Sequence, residues 1–247
     1  MAKALPNWLV NKYFTLFLFF GLLPFTIEDA KGVLRSKKTS ILLFKMASYG
    51  WVDRVERGVY RVIHPFIALM EVSGLKWRDR IKQKDRLPVL ELTVVKLFEV
   101  LGSNLVSIVL FGSLSKGEAK PESDIDLLVV ASGLPSKYSE RTKIIREIVS
   151  SKLMDEIIIQ TWKKKGVYAD LNIMLVDDNE ANITHPFYLD MTKDCVIIYD
   201  KNESISKKIA EVRGKLEKIG AKRFEEPNGS WYWVLTPKAE DVKDVVL

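Results

Sequence analysis

Apolar positions along the chain change period from segment to segment, and each period predicts an element. Residues 13–25, Tyr-Phe-Thr-Leu-Phe-Leu-Phe-Phe-Gly-Leu-Leu-Pro-Phe, are almost wholly apolar. The run is shorter than the roughly 18–20 residues a membrane span needs. Acidic Glu28 and Asp29 follow it, with no small-x-small cleavage site between. It is read as a buried first helix from about Trp8 to Leu22, and the protein as cytoplasmic with no membrane contact. Thr26 caps a short second helix with Glu28 and Asp29 in its first turn, and Ser36 caps a third that runs to Ser48 and stops at Gly50. Residues 51–63 alternate around Gly58 as two short strands. Residues 67–87 form a bridge, closed by Pro88. Leu90, Val94, Leu97 and Leu101 then mark the buried stripe of a long helix ending at Gly102. Residues 105–111, 124–130 and 167–176 read as strands. Ile144, Ile145, Ile148 and Val149 form one helical stripe, Ile205, Ile209, Val212, Leu216 and Ile219 another, and residues 231–235 a final strand.

Charge divides the same chain in two. The net charge of +6 is the sum of +9 over residues 1–87 and −3 over residues 88–247, and the boundary is placed near Arg86, where composition and sign both change. A basic first third has the electrostatics of a nucleic-acid or anionic-surface binder. Cys195 is the single cysteine, which rules out intramolecular disulfides and cysteine-based zinc sites, and its apolar neighbours read as core. His64 and His185 each precede a proline and suit turns better than base catalysis.

The chemistry concentrates between two predicted strands. The first runs into Gly112-Ser113; ten residues, 114–123, separate this pair from Asp124-Ile-Asp126. Residues two apart on a strand point to one face, so both carboxylates of Asp124 and Asp126 do so. Like charges held together are costly unless a cation neutralises them, and Mg²⁺ is the usual hard cation beside phosphates. This Gly-Ser-x10-Asp-x-Asp pattern, with Leu110-Phe-Gly-Ser before it and Ser-Asp-Ile-Asp-Leu-Leu-Val after it, resembles the polymerase β-like nucleotidyltransferase superfamily, closest to its minimal branch.

The resemblance implies an α/β (α+β) domain over residues 88–247, with a mixed sheet flanked by helices. It also implies an NTP substrate, two Mg²⁺ ions (Mn²⁺ as substitute), attack on the α-phosphate and release of pyrophosphate. The acceptor stays open between a protein side chain, an RNA end and a small molecule. Gly112 would let a phosphate approach the backbone, Ser113 would add a hydroxyl, and Lys116 a positive charge. The commonest branch pattern is Gly-Ser-x-Ala-Arg-Gly; here Ser115 and Lys116 replace Ala-Arg, and lysine lacks the bidentate fork. The superfamily also requires a third carboxylate on a later strand. Asp170, the one acid in the apolar run 167–176, takes that role, with Asn172 on the same face.

Three helices followed by a hairpin is the plan of a winged helix-turn-helix. The phrase from Tyr49 to Tyr60 resembles the N-terminal DNA-binding modules of abortive-infection antitoxins. That resemblance implies DNA as one partner, with Lys37, Lys38, Arg54, Arg57 and Arg61 on phosphates, and a toxin protein as another. A winged helix used for protein contacts or dimerisation is the alternative. Taken whole, the chain reads as a nucleotidyltransferase fused to a DNA-binding domain. The other reading is a DNA-binding regulator or antitoxin whose transferase domain only binds nucleotide or a partner.

Overall fold

The computed structural model describes residues 2–226 and 231–235. Its N-terminal unit comprises α1 (Asn7–Phe20), the short strand β1 (Phe25–Thr26), α2 (Ile27–Leu34), α3 (Thr39–Ser48) and the hairpin β2 (Val52–Glu56) and β3 (Val59–Val62). The three strands pair antiparallel in the order β1-β3-β2. Thr26 and Asp29 form a reciprocal capping box at the start of α2, as the sequence suggests. Ser36 does not cap α3. Its side chain and carbonyl instead organise the preceding turn, receiving hydrogen bonds from the Lys38 N–H and the Thr39 hydroxyl, and the helix begins three residues later. The apolar first helix is buried on one side only: Leu9, Tyr13 and Leu16 are inside, while Leu18 is 82% and Phe19 68% exposed. Among the described residues, no helix is long and apolar enough to cross a membrane.

The bridge contains a helix that periodicity did not show, α4 (Pro65–Val72), whose N-cap is the imidazole of His64. Its sequence is apolar almost throughout, so no polar face marked it as a helix. Two 3₁₀ turns, Arg78–Arg80 and Lys84–Arg86, lead into α5 (Leu87–Leu101). Then come β4 (Leu105–Phe111), α6 (Gly112–Lys116), β5 (Ile125–Ala131), α7 (Tyr138–Val149) and α8 (Lys152–Lys165). The remainder is β6 (Leu171–Asp177), α9 (Asp178–Ala181), α10 (Phe187–Met191), β7 (Val196–Asp200), α11 (Ser204–Lys218), β8 (Lys222–Glu225) and β9 (Trp231–Val234).

The main sheet is mixed, in the order β6-β5-β4-β7: β5 is antiparallel to β4 and parallel to β6, and β7 is antiparallel to β4. Alternation along the central strands splits their side chains between two cores. Ile108, Leu110, Leu127 and Val129 join a buried cluster that also holds α5, α7, α8 and the whole N-terminal unit. Val109, Leu128 and Val130 join the other, covered by α10 and α11. A strand apolar on both faces is what a central position between two helical layers requires. The packing runs without a gap from α1 to the sheet, across the change of composition near Arg86.

Charge is buried at that junction. Glu91 on α5, 1% exposed, accepts from Arg61 Nη1 on β3 and from Arg78 Nε in the first 3₁₀ turn, both at 2.6 Å. Asp53 on β2 accepts from the same two guanidiniums at 2.5 and 2.7 Å, and Glu71 on α4 lies 3.6 Å from Arg78. Burial opposes charge on both arginines, yet the facing carboxylates of Glu91 and Asp53 outweigh it and hold them protonated. Arg61 is therefore not a surface cation, and the expectation that it meets a DNA phosphate fails on its burial. Removing one partner from such a cluster strands a charge and costs about 3–5 kcal/mol, far more than an exposed pair is worth. Glu91→Gln should therefore lower the free energy of unfolding by a few kcal/mol in urea titration; a change under about 1 kcal/mol would contradict this role of Glu91.

Candidate active site

The face that is apolar in the middle of the sheet turns acidic at one end. Along β5, Val130 and Leu128 give way to Asp126 and then to Asp124, just before the strand; along β6, Val176 and Met174 give way to Asn172 and then Asp170. Parallel register sets Asp126 beside Asn172, and the Ile125 N–H donates to the Asp170 carbonyl at 2.7 Å, so Asp170 neighbours Asp124. Asp170 is exposed and stands at the mouth of β6, not inside a strand as its apolar surroundings suggested, because the regular strand starts at Leu171. Among the described residues no group of three or more His, Cys, Asp or Glu is drawn together closely enough to hold a metal ion.

On the other side of β5, Phe111 pairs with Asp126, which places Gly112 against the Asp126 carboxylate. Gly112 has φ of +70°, and a Cβ built there would collide with that carboxylate. Glycine is thus required twice, by backbone conformation and by close approach. Ser113 follows, half-buried, in the single turn of α6. Ser115, the departure from the branch pattern, donates through Oγ to the Gly112 carbonyl at 2.8 Å and to that of Asp194 at 3.2 Å, tying α6 to the segment before β7. Burial, reinforced by the nearby Asp124 charge, raises the Asp126 carboxyl above the ordinary range, and a hydrogen bond from Asn172 Nδ2 to Oδ1 at 2.9 Å pulls partly the other way.

Lys116 makes an aromatic contact within the chain. Its ammonium, buried and without a hydrogen-bond partner, rests 3.4 Å from the centre of the Trp231 ring, with the Arg223 guanidinium 4.8 Å from the same ring. Trp231 is fixed in turn by its Nε1, which donates to Asp190 at 2.8 Å. The aromatic final strand thus covers a lysine, which nothing in either local sequence announced. Of the DNA-facing set, Lys37, Lys38, Arg54 and Arg57 are exposed and Arg61 is not. Lys163, Lys164 and Lys165 are solvated in the last turn of α8, where positive charge suits the helix dipole. A cavity of about 590 Å³ lies between the β2–β3 hairpin, the linker and α8, and none of the acidic residues of the site lines it.

Residues 93–178 match the family model of the nucleotidyltransferase domain, a stretch that contains β4, α6, β5, β6 and Gly112, Ser113, Lys116, Asp124, Asp126, Asp170 and Asn172. The match takes in about a third of the chain. A protein of Methanocaldococcus jannaschii named "Putative protein adenylyltransferase MJ1305" is 43% identical over 61 residues, which are 25% of this chain and 42% of that protein. Among solved structures, a toxin–antitoxin crystal structure with AMP-PNP shares 17% identity at a TM-score of 0.31, covering 52% of this chain and 90% of its own. The toxin–antitoxin MntA-HepT shares 15% at 0.28, covering 56% and 93%. Likeness at that level is too weak to assign a fold, ligand or partner.

A carboxyl whose pKa is raised by folding binds its proton more tightly in the folded chain than in the unfolded one. Stability is then highest below the ordinary aspartate pKa and falls as pH rises through the raised value. Asp126→Asn removes that penalty. In metal-free buffer the variant should unfold at higher urea than wild type at neutral pH, with the difference shrinking on acidification; equal midpoints at neutral pH would show that the Asp126 charge carries no such cost.

Proposed function

We propose that the protein transfers AMP from ATP to a protein side chain, with Asp124 and Asp126 at the heart of a metal-dependent site. The observation that carries this reading is the Asp126 carboxylate pressed against Gly112, with Asp124 two residues before it, at the end of a sheet whose sequence matches the nucleotidyltransferase domain. The choice of AMP and of a protein acceptor rests on the relative's name. In the reaction the acceptor oxygen forms a bond to the α-phosphorus, and the bond from that phosphorus to the α–β bridging oxygen breaks, releasing pyrophosphate. Asp124 and Asp126 would supply hard oxygen donors that suit Mg²⁺ or Mn²⁺, and the register that sets Asp170 next to Asp124 supports Asp170 as a third donor. When bound, such ions neutralise phosphate charge and activate the attacking hydroxyl. Asn172 orients the Asp126 carboxylate and Gly112 leaves room for it; in this reading Asp170 takes the acceptor's proton. In this reading Lys116 would exchange its contact with the Trp231 ring for one with the triphosphate.

Transfer of label from α-³²P-ATP to protein in Mg²⁺, at least a hundredfold weaker in Asp124→Ala and Asp126→Ala, is the expected result. Metal-dependent ATP binding without transfer would favour the regulator instead, and neither binding nor transfer with any NTP would remove the enzyme reading.

For the N-terminal unit we infer a winged helix that contacts DNA through Lys37, Lys38, Arg54 and Arg57. Its helix order, its β1-β3-β2 sheet and the exposure of these four cations support this. A second reading, protein contact, is favoured by Ile41 and Phe44, which are 53% and 69% exposed on α3 itself. The two separate on salt. DNA affinity should fall steeply with ionic strength, and Lys37→Ala/Lys38→Ala should flatten the log–log slope by about 2. A Phe44→Ser variant that changes sedimentation while DNA binding is absent would support protein contact.

A further inference from the structure

Asp124 reaches its place at the end of the loop 117–123, which joins α6 to β5. Within this loop only Ala119 is buried, so apolar packing does little to fix it. Its backbone is instead held by the linker. The Gln83 carboxamide pairs with the Ala119 peptide in both directions: Nε2 donates to the carbonyl at 2.7 Å, and Oε1 accepts from the N–H at 2.9 Å. Arg86, 1% exposed, aims Nη2 at three carbonyls of the loop, those of Lys120, Pro121 at 3.3 Å and Ser123 at 3.4 Å. Converging carbonyl dipoles repel one another, and a guanidinium among them reverses the sign of that interaction. Lys82 adds a bond from Nζ to the Lys116 carbonyl at 3.2 Å, and its stem covers Gly117, which turns with φ of +80°. From the far side, the Tyr168 N–H donates to the Pro121 carbonyl at 2.8 Å.

We propose that Gln83 and Arg86 are positioning residues for Asp124: the basic linker is a brace that sets where the metal-binding carboxylate stands. The inference rests on the nucleotidyl-transfer reading of the site. Neither side chain takes part in the chemistry, so both act through the geometry of the loop, and errors well under an ångström matter at a metal site.

The test uses the full-length protein and ATP with Mg²⁺. Gln83 is half-buried, so Gln83→Ala should fold. Its amide exchange over residues 117–124 should quicken about tenfold, the scale of one to two net hydrogen bonds, with β4 and α5 unchanged. kcat should fall about tenfold while KM for ATP stays within about twofold. Arg86→Lys, which keeps a donor cation, should lie between wild type and Arg86→Ala in both readouts. Wild-type loop exchange and wild-type kcat in Gln83→Ala would overturn the proposal. So would a loss of protection spread equally over β4 and α5, which marks a merely structural role. An inactive wild type would instead bring down the transfer reading itself, before any variant is compared.

Discussion

Two arginines sharing a buried and a half-buried carboxylate, Arg61 and Arg78 with Glu91 and Asp53, are the constraint on which the rest of this structure depends. The four groups come from β3, the linker, α5 and β2, so their charges neutralise only when the N-terminal hairpin, the linker and the helix beneath the sheet are all in place. A hydrophobic cluster of the same volume could be as stable, but it would tolerate sliding. Bidentate geometry does not. With Arg78 fixed, the residues that follow it are delivered in register to the loop before Asp124, where Gln83 and Arg86 take up its carbonyls. The electrostatics of the N-terminal third are thus partly internal, and some of its positive charge is spent on cohesion rather than on a partner.

The site itself is held against its own preference. Asp126 carries charge in a half-buried place beside Asp124, and burial is the larger part of what raises its pKa. A fold optimised for stability alone would put an apolar residue there, continuing the row of Leu128 and Val130. A cation bound at this end of an otherwise apolar sheet, as proposed, would recover that cost.

Sequence pattern revealed the parts of the fold that repeat and hid the parts that depend on distant partners. The strands flanking Gly112-Ser113, the amphipathic helices and the capping box at Thr26 all declare themselves through local period or local chemistry. The Asp124/Asp126 pair was readable for the same reason, since the alternation of β5 carries back through Asp126 to Asp124 just before it. Helix α4 was not, because it is apolar almost throughout. Arg61 read as a phosphate ligand because nothing nearby in sequence shows that Glu91, thirty residues on, takes its charge. Gln83 and Arg86 read as linker, since their partners are backbone peptide groups, which no side-chain pattern can advertise. Lys116 and Trp231 are more than a hundred residues apart, and their contact is purely tertiary.

The central claim is that Asp124 and Asp126 form a divalent-metal site that works with nucleotide. The most direct measurement is an electron paramagnetic resonance titration of Mn²⁺ into the protein with a non-hydrolysable ATP analogue present. The account predicts saturable binding that tightens when the analogue is added and is lost in Asp124→Ala and in Asp126→Asn. Mn²⁺ binding that is absent from wild type, or unchanged in both variants, would contradict it.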